Sequence, residues 1–198
     1  MLNTRSLTDL FSQNSDERLC KRWYLVTCNG TLLANSQPTD VRELRKQVAM
    51  VIMSWQEQQA AVAQQPNEPD SSLDESDQPG RLQALTMEMD NANVIAYKLQ
   101  PQLILVLEGG VPPRRPGFEA KVTAEGPDDD TYPADDVSAA GPNLGTSVSS
   151  KTPSTGTNAA VSVLRLQRKK LEAMANAIMD DFERTGFKMP DEASTRFF

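Results

Sequence analysis

The sequence has 198 residues, a formal net charge of −7 and no histidine, which removes the commonest catalytic base and metal ligand. A mean hydropathy of −0.49 indicates that part of the chain stays outside any core, so we expect one small domain with long appendages. Eleven acids and no base lie in residues 66–80 and 122–150, and the remainder carries a formal charge of +4, so these segments are unsuited to nucleic acid.

The first predicted elements are a short helix and a hairpin. Residues 2–13 place apolar side chains on one face after a possible N-cap at Ser6, and a helix this short must dock to be stable. Two apolar, β-prone runs, 23–28 and 31–34, flank Asn29-Gly30, which favours a type I′ turn. Because a hairpin alone is marginal, we expect further strands.

A central helix is predicted from Thr39 or Asp40 to about Gln59. Its core face, at three- and four-residue steps, consists of Val41, Leu44, Val48, Val51, Ile52 and Trp55. A second, partly apolar stripe, shared with two basic residues, consists of Ala49, Met50 and Met53. Two apolar stripes give the helix two surfaces to cover.

Residues 64–81 are rich in proline, serine and acids and are predicted to be a flexible loop. Three strands follow, at 83–89, 94–99 and 103–107. The last of them is an unbroken apolar run, which favours a central position in a sheet. Three strands in succession indicate a meander.

The rest of the chain is predicted to be an insert, a helix and a tail. Residues 109–160 carry too few large apolar side chains for a core and are expected to form a disordered acidic insert. A last helix is expected from about 161 to 185, ending at Gly186, and residues 189–198 form a tail.

This order of elements predicts an α/β fold of the α+β type. Five antiparallel strands form one sheet with helices in the order α-β-β-α-β-β-β-α. The sheet and helices belong to a single domain over residues 1–188, interrupted by the two inserts.

No residue pattern points to catalysis. Cys20 and Cys28 form neither a disulfide framework nor a zinc motif, and Glu108-Gly109-Gly110 lacks the spacing of a phosphate-binding loop. The run 128–130 is acidic but has no fixed backbone to converge its carboxylates on a metal. We therefore predict no enzyme activity, no cofactor and no metal.

Two other motifs have alternative interpretations. A basic cluster at the start of the last helix could meet lipid headgroups or an acidic partner, although a solvated helix face is the simpler interpretation. Pro113 to Pro116 fits a minimal PxxP pattern, which is common by chance in proline-rich loops. The basic cluster consists of Arg165, Arg168, Lys169 and Lys170.

Five short stretches are informative together, in their order along the chain: SLTDLFSQ at 6–13, NGTLLA at 29–34, VIMSW at 51–55, LILVLEG at 103–109 and GF at 186–187. They resemble stretches of the roadblock subunits of the Ragulator complex and of its fungal counterpart, the EGO complex. The similarity covers about residues 1–60, 82–118 and 161–188. The insert between the last strand and the last helix is short in the relatives, and this chain departs from them there.

The resemblance implies a non-catalytic scaffold subunit that forms a heterodimer with a second roadblock protein. It also implies a lipid-anchored subunit that wraps the pair, and Rag-type GTPases held for amino-acid signalling to the TOR kinase. The expected location is the cytoplasmic face of the vacuolar, lysosomal or late endosomal membrane, with membrane contact only through a partner.

The candidate partner interface lies on the central helix and the third strand. Roadblock dimers join their sheets and central helices, and an unpaired strand edge invites strand addition. The candidate residues are Ala49, Met50 and Met53 on the helix, and Met87 and Met89 on the strand. The two strand methionines fit an ordinary core equally well.

Two alternative functions remain open at this point. A dynein-associated roadblock light chain or a longin-type trafficking adaptor would share the fold and bind different proteins. A PAS- or profilin-like small-molecule sensor would need an internal pocket with a few convergent polar groups. The uniformly apolar predicted core counts against the sensor.

Overall fold

The computed structural model describes residues 2–63, 82–112, 118–126, 131–132 and 155–190. The described part contains three helices and seven strands. In chain order they are α1 (Thr4–Gln13), β1 (Cys20–Thr27), β2 (Leu32–Asn35), α2 (Val41–Ala63), β3 (Ala84–Glu88), β4 (Asn93–Gln100), β5 (Leu103–Gly109), β6 (Lys121–Glu125), β7 (Thr131–Tyr132) and α3 (Thr155–Thr185).

The strands form one antiparallel sheet in the order β2-β1-β5-β4-β3-β6-β7. The predicted α+β class is confirmed, but the prediction of five strands was wrong. β6 and β7 come from residues 109–160, most of which were expected to be disordered. The composition of residues 109–160 as a whole gave no sign of β6, because the alternation of its side chains lasts only five residues.

The helices cover the two faces of the sheet unequally. One face packs against α1 and α3, and its buried cluster includes Phe11 of α1, Trp23 of β1 and Phe182 of α3. The other face packs against α2, through a cluster that includes Trp55 of α2 and Leu85 and Met87 of β3. The described part of the protein therefore has three layers, with two helices on one side of the sheet and one on the other.

Local capping and turn chemistry explain where the first elements begin and end. Helix α1 begins before the expected Ser6 cap, since the Asn3 Oδ1 atom accepts the Ser6 amide N–H at 3.1 Å. In the hairpin, Gly30 has a φ of 85° and its N–H donates to the Thr27 carbonyl at 2.9 Å. The strands end before this turn, so the loop spans four residues, 28–31, and not two.

Asp40, one of the two predicted starting residues, caps helix α2. Its Oδ1 atom accepts the Arg42 N–H at 2.9 Å, and its carbonyl accepts the Leu44 N–H at 2.9 Å. The other predicted core residues of α2 are buried, but Val41 is 51% exposed because the first turn lies at the margin of the sheet contact. The helix runs four residues past the predicted Gln59, to Ala63.

Helix α3 begins at Thr155, earlier than the predicted start near 161. It ends at Thr185, directly before Gly186, as predicted. Gly186 has a φ of 64°, and the Phe187 N–H donates to the Phe182 carbonyl at 2.8 Å. The rings of Phe182 and Phe187 lie 4.8 Å apart, so the helix end packs back onto its own last turn. The predicted loop 64–81, the PxxP motif, the run 128–130 and the tail beyond 190 lie outside the described residues.

Candidate protein-binding surface

The outward face of α2 carries an exposed apolar side chain at its centre. Met53 is 70% exposed, the highest value among the large exposed hydrophobic residues of the described part. At 100° per residue it points almost directly away from the buried arc of α2. The exposed residues that share this face are Arg42, Lys46, Ala49, Glu57 and Ala60. This surface, called the α2 face below, carries two basic, one acidic and three apolar side chains.

The structure separates the predicted interface residues into two groups. Ala49 and Met53 are exposed on the α2 face. A residue that binds a partner has to be exposed while the chain is alone, so both positions fit the prediction. Met50 is half-buried against the core cluster beneath α2, and Met89 packs partly against the same cluster. Met87 is 4% exposed and belongs to that core cluster. Its sequence fitted the core as well as an interface, and the structure places it in the core.

The expected open edge on the third strand is covered. β3 pairs with β4 on one side and, over all five residues from Ala84↔Glu125 to Glu88↔Lys121, with β6 on the other. The prediction of an exposed edge was therefore wrong, because a strand of this chain occupies it. The sequence hid this pairing since β6 lies far from β3 along the chain.

β6 is attached to both layers. Ala124 is buried and Val122 half-buried against the cluster under α2. On the opposite face, the Glu125 carboxylate forms a two-pronged ion pair with the Arg168 guanidinium of α3. Arg168 also contacts Glu172, with 3.4 Å between Nε and Oε1. Glu125 was counted among the loop acids, but it is 8% exposed and holds a strand to a helix.

The layer formed by α2 is too narrow for the sheet it covers. Seven strands span roughly 29 Å at the usual strand spacing, whereas one helix with its side chains is about 10 Å wide. Apolar residues beside α2 remain only half-buried, and these are Cys28, Leu32, Met50, Met89 and Val122. Within the described residues, α2 is the only helix on this side of the sheet.

A polar cluster under the first half of α2 fixes the orientation of the helix. The Arg22 Nη1 atom donates to the Gln47 Oε1 atom at 2.8 Å and lies 3.3 Å from the Glu108 carboxylate. Next to it, burial and then the Glu108 charge raise the pKa of the Tyr24 phenol, which is 0% exposed. Arg22 and Glu108 therefore form an ion pair beside the buried Tyr24 phenol.

The glycine pair after β5 serves packing. A side-chain carbon at Gly109 would lie 2.2 Å from the Gln167 Nε2 atom, and one at Gly110 would lie 1.9 Å from the Arg18 carbonyl oxygen. Gln167 is fully buried: its Nε2 donates to the Leu19 carbonyl at 3.0 Å and to the Gly110 carbonyl at 2.6 Å. Its Oε1 accepts the Asn93 amide at 2.9 Å. Sequence reasoning missed Gln167, since no local pattern distinguishes a glutamine that joins such distant segments.

Part of the basic cluster on α3 is used within the protein. Arg168 pairs with Glu125, and the Lys170 Nζ atom lies 3.7 Å from the Asp16 carboxylate. Beside Lys170, a groove of about 220 Å³ opens between α1 and α3, over Trp23 and Met174. The groove is open to solvent and smaller than the usual small-molecule pocket.

Within the described residues, no group of three or more metal-ligating side chains comes together. No helix in the described ranges has the length and hydropathy needed to cross a membrane. Burial raises the pKa of the Cys20 thiol to about 11, and Cys20 lies apart from the half-buried Cys28 thiol, which donates to the Pro101 carbonyl at 3.2 Å.

No protein-family model and no curated protein matches the sequence. Among solved structures, the chain is similar to Myxococcus xanthus MglB, with 10% sequence identity, 96% of this chain and 97% of that chain covered, and a TM-score of 0.50. It is also similar to the Roadblock/LC7 domain from Streptomyces avermitilis, at 12% identity over 53% of this chain and 76% of that chain, with a TM-score of 0.40. At these identities the similarity concerns the fold alone, and that fold is roadblock/longin-like α+β.

Proposed function

We propose that this chain is a non-catalytic scaffold subunit that pairs with a second roadblock-fold protein through the α2 face. The observation that carries the proposal is the single-helix layer over a seven-stranded sheet, with Met53 70% exposed at its centre. A partner helix packed beside α2 would bury Met53 together with the half-buried residues next to it. The roadblock/longin-like fold is consistent with such a pair.

We further propose that the pair belongs to a Ragulator- or EGO-like complex. The support is the resemblance of the stretches at 6–13, 29–34, 51–55 and 103–109 to the roadblock subunits of those complexes. The complex would contain a lipid-anchored subunit and Rag-type GTPases and would act in amino-acid signalling to the TOR kinase. Its place would be the cytoplasmic face of a vacuolar, lysosomal or late endosomal membrane.

The test of this proposal is purification of the tagged full chain from its native cells, followed by mass spectrometry. We expect the wild type to recover a second roadblock protein, an acylated scaffold and Rag-type GTPases. Met53→Asp should reduce recovery at least tenfold, because the carboxylate would be buried without a partner charge. Its free energy of unfolding should change by less than about 0.5 kcal/mol, since the side chain is exposed in the isolated chain.

A matched control separates the α2 face from the rest of the helix. Gln59→Asp adds the same charge at another exposed position of α2, about 120° away around the helix axis, and should leave recovery unchanged. Met50→Asp is a poorer probe, because Met50 packs against the core. Recovery of dynein chains or vesicle tethers would favour a trafficking adaptor, and full recovery with Met53→Asp would exclude the α2 face.

A further inference from the structure

The groove between α1 and α3 has an apolar base. Trp23 of β1 and Met174 of α3 line it and are both buried, so they form the base. The wall on the α3 side includes Ala173 and Ala177, which are small and exposed. The volume of about 220 Å³ is below that of the usual small-molecule site, and one side is open to solvent. The groove therefore suits a few apolar side chains of a chain segment that lies along it.

The chain leaves α3 on the same side of the sheet as this groove. Phe187 and Met189 pack against the buried cluster that also forms the base of the groove. Gln100 of β4 holds the backbone there, since its Nε2 atom donates to the Phe187 carbonyl at 3.2 Å. Its Oε1 atom accepts the Met189 N–H at 2.9 Å. The residues that follow 190 therefore start on the side of the sheet that carries the groove.

Residues 191–198, with the sequence DEASTRFF, are long enough to reach the groove. They span at most about 26–29 Å when fully extended. The distance along the axis of α3 from Thr185 back to Met174 is about 17 Å at the usual rise per residue. Phe197 and Phe198, the two large apolar residues of this segment, can therefore reach the level of Met174 with length to spare.

We propose that the groove is the docking site of residues 191–198 of the same chain. The rings of Phe197 and Phe198 lie over Trp23 and Met174, and the small side chains before them pass along Ala177. Burial of two aromatic rings stabilises the docked segment, because it removes apolar area from water. The segment is tethered at 190, which keeps it at an effective concentration of about millimolar near the groove. A weak intrinsic affinity is therefore sufficient.

The docked segment braces α1. This helix contributes Leu10 to the groove and is too short to be stable on its own. A segment that contacts both α1 and α3 holds the two helices together and slows the release of α1 from the sheet. The α2 face lies on the opposite side of the sheet, so the docked segment leaves it open. This proposal can therefore fail or hold independently of the proposed function.

The test is NMR spectroscopy of the full chain with labelled alanine and methionine methyl groups. Phe197→Ser combined with Phe198→Ser removes both rings and their ring currents. We expect the methyl signals of Met174 and Ala177 to shift, while the Met53 signal on the α2 face stays in place.

Two further measurements on the same double variant report on the segment and on α1. Backbone order parameters of residues 194–198 should lie above about 0.6 in the wild type and fall below that value in the variant. Amide hydrogens of α1 should exchange several-fold faster in the variant, and those of β5 at the wild-type rate.

A change in the groove itself provides the matched control. Ala177→Glu places a charged side chain in the groove at an exposed position and should detach the segment from a folded protein. Asn176→Glu adds the same group at the neighbouring exposed position, about 100° away around the helix, and should leave the segment docked. Unchanged methyl signals in the double variant, or low order parameters in the wild type, would overturn the proposal. Methyl shifts that depend on protein concentration would place the segment in the groove of a second copy and overturn docking within one chain.

Discussion

Gln167 shows how much one side chain can join when it is buried with all of its polar atoms paired. Its amide links the chain before β1, the start of β4 and the end of β5 to α3. The partners lie up to 148 residues away in sequence. Gly109 provides the space for Gln167 and Gly110 provides the space for the Arg18 carbonyl, which explains a glycine pair that otherwise resembles part of a phosphate-binding loop.

Gln167→Leu should lower the free energy of unfolding by about 2–4 kcal/mol. The carbonyls of Leu19 and Gly110 would lose the hydrogen bonds that Gln167 supplies, in an interior from which water is excluded. Urea denaturation followed by circular dichroism measures the change. Glu183→Gln, at an exposed position of the same helix, is the control and should differ from the wild type by less than about 0.5 kcal/mol.

At the scale of the element, α1 depends on docking more than on its own helical stability. It has ten residues, too few for a stable isolated helix, and it buries Leu7 and Phe11. Its C-terminal end is held by the Trp23 Nε1 atom, which donates to the Asn14 carbonyl at 3.0 Å. The element is therefore formed by the sheet beneath it.

Phe11→Ala should release α1 while the sheet stays folded. Truncating a fully buried phenylalanine lowers stability by about 3–5 kcal/mol. A docked helix of ten residues cannot lose this much free energy of docking and stay bound to the sheet. Hydrogen exchange should show free-peptide rates over residues 4–13 and unchanged protection in β5. Asp9→Ala, exposed on the same helix, should keep α1 protected; loss of protection throughout the sheet would contradict independent docking.

At the scale of the whole molecule, buried ionisable groups set the alkaline limit of stability. The Cys20 thiol is fully buried, and burial raises its pKa from an ordinary 9.0 to about 11. The unfolded chain ionises this thiol at lower pH than the folded chain does. Its stabilising contribution is therefore complete below pH 9 and is lost as the pH rises to about 11.

Between pH 9 and 11 the free energy of unfolding should fall by about 2–3 kcal/mol from this group. Tyr24, whose pKa is also raised by burial, should add to the loss above pH 10. Urea midpoints measured across this range test the expectation. Cys20→Ala should be less stable at pH 8, because of the space it leaves, but should decline less steeply; parallel declines would contradict the assignment.

The sequence predicted most of the fold and part of the candidate site. The hairpin, the buried arc of α2 apart from Val41, the three strands of the meander and the end of α3 were confirmed, although several boundaries moved. For the site, the position of Ala49 and Met53 on an exposed face followed from helical periodicity. The same reasoning could not decide whether Met87 lies in the core or on the surface, because a methionine on a strand fits the core and an interface equally well.

What the sequence determined by itself is what short-range physics controls: helix and strand periods, the caps at Asp40 and Gly186, and the turn at Gly30. These depend on residues within a few positions of one another. Tertiary structure alone decided that β6 covers the edge of β3, that Glu125 pairs with Arg168 and that one face of the sheet receives a single helix. Those contacts join segments tens of residues apart, and their free energy depends on burial that no local pattern encodes.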